Sequence, residues 1–143
     1  MKETICALFA LIGGWIANAL GGWDMAATTL LFFMAVDYIT GIIVAGVFHK
    51  SKKTNTGSLK SLVGFKGLCR KFIQFFLVAV GYRMDLLLET NYIREAIALG
   101  FIANEALSII ENAGLMGIPL PPVLIKMVDV LSERANADTV KEE

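Results

Sequence analysis

The chain is short of the residues that carry most soluble catalytic and metal chemistry. It has one histidine, His49, and two cysteines, Cys6 and Cys69. A single imidazole excludes a His-rich metal site. Two widely separated thiols make neither a disulfide framework nor a zinc-ligand spacing. No GxxxxGK[ST] or GxGxxG string occurs, so no phosphate cradle is implied. Charge is also scarce: Asp, Glu, Lys and Arg make up 18% of the chain, against about 25% in soluble domains. The 13 basic and 13 acidic residues cancel, which argues against a nucleic-acid partner. In place of charge there is apolar surface. Hydrophobic residues reach 56% and the mean hydropathy is +0.64. The 143 residues allow one compact unit. A water-soluble unit of that size would struggle to hide so much apolar area, and the same richness excludes disorder.

The apolar residues fall into runs. Residues 5–23 carry no charge and at about 1.5 Å per residue reach roughly 28 Å, close to the roughly 30 Å of a hydrocarbon layer. Trp23 suits the headgroup level. A secretory signal is the other reading of this run, with cleavage near Ala17 or Ala19. Against it, Lys2 is accompanied by Glu3 and the run is longer than a usual signal core. Residues 25–48 form a second span, interrupted by Asp37 alone, with Gly41 and Ala45 on a small-residue face that lets helices approach. Residues 49–71 then hold Lys50, Lys52, Lys53, Lys60, Lys66, Arg70 and Lys71 and no acid. This segment reads as a basic cytoplasmic loop that fixes orientation. Its part from Ser58 to Lys71 alternates apolar and basic residues in a roughly helical pattern and suits anionic headgroups. Residues 72–88 form a third span, with Arg83 and Asp85 near its far end.

The fourth segment, 92–118, is amphipathic. At about 100° per residue, with Phe101 as zero, Asn104 falls near about −60°, Glu105 about +40°, Ser108 about −20°, Glu111 about −80°, and Arg94 and Asn112 about +20°. These groups share one stripe. Gly114, Gly117, Pro119, Pro121 and Pro122 end the helix, and 126–143 read as a polar tail. With loop 49–71 inside, the N-terminus is inside too. The side of the C-terminus depends on whether the fourth segment crosses. The architecture that follows is all-α: an integral membrane protein with three to four transmembrane helices, the last amphipathic.

A carboxylate within a span is expensive and points to function, so Asp37 is expected to face another helix, water or a cation. With Asn104, Glu105, Ser108, Glu111 and Asn112 it is a candidate for lining a pore or for contact between subunits. Beyond Arg83 and Arg94 no internal basic partner stands out, which favours a water-facing stripe supplied by several copies of the chain. Catalysis is poorly served. Ser108 has no histidine with which to build a triad. Glu105 and Glu111 lack a metal or nucleophile to act upon. His49 sits among lysines in a loop, and Cys6 and Cys69 read as small apolar fillers.

Three strings, taken in order, resemble a known family: Asp37-Tyr38-Ile39-Thr40-Gly41, then Ser61 to Lys71 (SLVGFKGLCRK), then Asn104 to Asn112 (NEALSIIEN), followed by a Gly117-to-Pro121 turn. They are similar to the phage holin family that includes the clostridial toxin-secretion holins. The likeness covers about residues 35–125. It implies a holin without enzymatic activity in the bacterial cytoplasmic membrane; with the first span, which lies outside the likeness, a membrane-embedded domain is expected over 1–125, and no cofactor is expected. Such a protein forms homo-oligomers in the lipid bilayer and permeabilises it, so that a cell-wall hydrolase or an exported toxin can cross. Two other readings stay open: a small ion-coupled transporter, although no internal repeat is present, and an accessory membrane anchor for a soluble partner.

Overall fold

A computed structural model describes residues 1–140 as five helices, with no strand among them: α1 (Lys2–Ala19), α2 (Met25–Gly46), α3 (Ser61–Leu88), α4 (Ile93–Leu115) and α5 (Pro122–Val140). The all-α expectation holds. The last three residues of the expected polar tail lie outside the described residues.

The helix boundaries follow local chemistry. The first run does not stay helical to Trp23. It stops at Ala19, because Gly21 and Gly22 adopt φ of 81° and 109°, a left-handed conformation that only glycine takes without strain. The carboxylate of Asp24 then accepts a 2.9 Å hydrogen bond from the Ala27 N–H and caps α2, satisfying one of the orphan donors at a helix start. The loop after α2 is shorter than expected. Only the stretch up to Lys60 is irregular, and Ser61–Lys71 is already the first part of α3. The alternating apolar and basic residues there are adequate helix formers and no proline interrupts them. Within the loop, Gly57 has φ 70°, and a Cβ at that position would lie 2.0 Å from the His49 carbonyl oxygen.

Helix α4 is the hub: α2 and α3 each pack along it, α5 runs beside it, and α2 and α3 meet only locally. The core joins Leu20, Leu30, Met34, Val78, Ala98 and Ile102. The small-residue face of α2 belongs to this packing, with Ala45 buried and Gly41 close to the Asn112 side chain. Gly81 brings α3 against α4, since a Cβ there would lie 2.7 Å from Ile97 Cδ1 and 3.1 Å from Arg94 Cα. The turn between these helices is fastened by buried Asp85. Its carboxylate accepts from Thr90 Oγ1 (2.6 Å), Ile93 N (3.0 Å) and Arg94 N (2.8 Å), so α3 supplies the cap of α4.

Much apolar surface stays outside this core. Helix α1 buries no residue; Phe9, Leu11 and Trp15 are at least 70% exposed. Phe32, Phe65, Phe72 and Phe76 project from α2 and α3. Among the described helices, α2 alone is long and apolar enough to cross a membrane by length and composition. The others carry the reason in their sequences. Lys2 and Glu3 open α1, Lys71, Arg83 and Asp85 interrupt α3, and four charged residues dot α4.

Candidate functional site

The polar groups of α2, α3 and α4 converge at mid-helix. Asp37, Glu105 and Asn112 are 5–7% exposed. Their convergence centres on Lys71, whose Nζ donates to Asp37 Oδ2 at 2.7 Å and also to Glu105 Oε2. One ammonium thus bridges two carboxylates, with one helix contributing each member. Asn112 closes the group from α4: its Nδ2 donates to Asp37 Oδ1 (3.2 Å) and Thr40 Oγ1 (3.0 Å). The Thr40 hydroxyl in turn donates to the Asp37 carbonyl at 3.0 Å. A buried charge is tolerated when it is both paired and hydrogen-bonded, and this arrangement supplies both. Two carboxyl groups share the single amine.

A cavity of about 340 Å³ opens beside the triad toward the 51–60 loop; Asp37, Lys71, Gln74, Glu105 and Ser108 contribute to its wall. At the other end of the bundle, Arg94 reaches the chain between α1 and α2. Its guanidinium donates to the Leu20 and Gly22 carbonyls and to Asp24 Oδ2 at 2.6 Å. That hydrogen bond from Arg94 holds the Asp24 carboxyl below its ordinary value; burial opposes the effect and is outweighed. Core side chains Leu30, Met34, Val78 and Ile102 lie among the same helices.

The α4 stripe is divided. Glu105 and Asn112, at about +40° and about +20° on the wheel, are buried in the triad group, and Ser108 is half-buried at the cavity wall. Asn104 and Glu111, at about −60° and about −80°, are exposed. Of the basic residues grouped as headgroup contacts, Lys50, Lys52, Lys53, Lys60, Lys66 and Arg70 are exposed, whereas Lys71 turns inward. Its side chain is 13% exposed. Sequence reasoning looked to Arg83 and Arg94 for internal cations. Arg83 is exposed, Arg94 serves the opposite end, and Lys71 is the partner it missed. The available signal was position, since Lys71 is the last basic residue before the apolar run 72–88 and so stands where α3 enters the bundle. His49 and both cysteines are exposed. Among the described residues, no group of three or more His, Cys, Asp or Glu could hold a metal ion.

Residues 14–133 match the bacteriophage holin family. An uncharacterised protein of Listeria monocytogenes is 33% identical over 93% of this chain and 88% of its own length. A 14.9 kDa protein of Clostridium perfringens is 33% identical over 80% of this chain and 82% of its own. A protein of Bacillus phage phi105 named "Probable holin" is 30% identical over 80% of this chain and 79% of its own. No solved structure matches.

Proposed function

The chain belongs to the bacteriophage holin family, and from that premise we propose that it acts as a holin, a non-enzymatic protein that permeabilises the bacterial cytoplasmic membrane. In this reading it inserts as a multi-pass protein. Helix α2 is one span, α1 and the apolar part of α3 are two more, and amphipathic α4 completes the set when its polar edge is covered. The carrying observation is that edge: Asn104 and Glu111 are exposed on a helix whose neighbours present mostly apolar side chains outward. Uncovered polar groups are unfavourable in hydrocarbon, so the edge calls for water or for another copy of the chain. Homo-oligomers that turn Asn104 and Glu111 toward a shared opening meet both needs.

Loop 47–60 and the first turns of α3 display the exposed lysines and Arg70, and the positive-inside tendency puts them on the cytoplasmic side. At about 1.5 Å per residue, the 28 residues of α3 extend roughly 42 Å. That exceeds the hydrocarbon thickness and leaves its basic beginning at the headgroups. The hole serves the passage of a cell-wall hydrolase or a toxin. Induction in bacterial cells should collapse the membrane potential and arrest growth once the protein has accumulated in the membrane. Normal growth and an intact potential at high membrane levels would overturn the proposal.

A further inference from the structure

The two halves of α3 are held in different ways. Its buried residues, Val78, Gly81 and Asp85, all lie in the second half. There Gly81 abuts the Arg94 backbone and Asp85 caps α4. From Ser61 to Gln74 no residue of α3 is fully buried, Val63, Gly64, Gly67 and Gln74 being half-buried; Phe75 is the first to pack on the core, and α3 touches α2 only locally. The polar tie between this half and the other two helices is Lys71, which bonds Asp37 of α2 and Glu105 of α4 at once. Behind it lies the cavity that Gly67, Lys71 and Gln74 of α3 wall together with Asp37, Glu105 and Ser108. Gln74, one turn beyond Lys71, has a buried side-chain oxygen without a protein hydrogen-bond partner among the described residues.

We propose that Lys71 is a latch: a positioning residue that fastens the first half of α3 across the cavity and keeps Asp37 and Glu105 paired and largely buried. The inference rests on the holin reading, for which it supplies a closed form. While latched, the chain spends its mid-depth acids on its own lysine. With the ammonium withdrawn, two carboxylates that shared it are left together in a poorly solvated site. They repel each other and draw in water. The first half of α3, which is at most half-buried apart from this tie, is the element that moves aside, pivoting on the half held by Phe75 against the core and pinned at Gly81 and Asp85. Opening then adds Asp37, Glu105 and Gln74 to the polar edge already exposed on α4.

The test uses the full chain in membranes, with Cys6→Ser and Cys69→Ser to remove its own thiols and Gly67→Cys as a reporter on the cavity wall. A Cβ at Gly67 meets nothing within 4 Å. The rate at which a charged, membrane-impermeant thiol reagent labels position 67 should rise at least about fivefold with Lys71→Met, and Lys71→Arg should keep it near the parent rate. If Lys71→Met fails to accumulate, the pair Asp37→Asn with Glu105→Gln undoes the latch without stranding acids and should give the same rise. Equal labelling in latched and unlatched chains overturns the latch, and if the parent chain still permeabilises cells, the holin reading survives that failure. A rise in labelling by a chain that never permeabilises cells sustains the latch and rejects the holin reading.

Discussion

Lys71 shows how far one position can depart from its neighbours in sequence. It closes a run of seven basic residues, six of which face outward, yet it turns in to serve two acids. That Asp37 would need a partner was legible, because an ionised group in an apolar run has few tolerable surroundings. Which cation would serve was not, because helical periodicity gives the angle of a side chain on its own helix and says nothing about which helix lies opposite. Asn112 illustrates the energetic side. It links Asp37 to Thr40, so Asn112→Ala removes donors from a buried carboxylate and should destabilise the bundle by about 1–3 kcal/mol, read from unfolding in detergent. Asp24 provides a pH signature. Its carboxyl titrates lower in the folded chain than the ordinary value of 3.8, chiefly because Arg94 hydrogen-bonds it. The stabilisation is therefore complete above the unfolded-state pKa and is lost as pH falls through the lowered one. The stability gap between the parent and Asp24→Asn should narrow below about pH 4. It should be small throughout, since the Asp24 side chain is 48% exposed and solvent screens the pair.

At the scale of the element, α4 was the most legible. The polar stripe predicted from its periodicity exists, but packing splits it lengthwise. The edge at positive wheel angles enters the bundle, Ser108 lines the cavity wall, and Asn104 and Glu111 stay exposed, Glu111 at the rim of that cavity, a division that depends on where α2 and α3 lie. Helix ends were less legible. The apolar run 5–23 hid a break at Gly21 and Gly22, whose unusual φ is a property of the turn rather than of hydrophobicity. The basic stretch read as loop was helical from Ser61, because charge density marks the side of a membrane and not the backbone conformation. Contact between α3 and α4 depends on the missing side chain of Gly81. Gly81→Val would press on the Arg94 backbone, which cannot yield as a flexible side chain can. It should cost about 1–3 kcal/mol, and a matched change at Gly67, where the space is open, should leave the unfolding midpoint nearly unchanged.

For the molecule as a whole, the contrast is between a packed α2–α3–α4 unit and a first helix that joins it through the Leu20 turn while burying nothing of its own. A chain lacking residues 1–19 should keep the unfolding midpoint of the bundle in detergent and lose the ellipticity of about one helix. It should also partition less strongly into lipid vesicles, because about 0.8 kcal/mol goes with each CH₂ taken from water. Composition made the greasy exterior legible from the outset. The closed arrangement of charges was not, since it requires three distant segments to meet at one depth. The corner fastened by Asp85 bears on how such a chain is delivered. Amide groups left bare at a bend resist passage through oil, whereas here the Ile93 and Arg94 N–H groups donate to the Asp85 carboxylate one helix back and the Thr90 N–H to the Asp85 carbonyl. On the proposed multi-pass reading, the pair of rods on either side would enter as a ready-made hairpin, the backbone donors at its leading tip already satisfied.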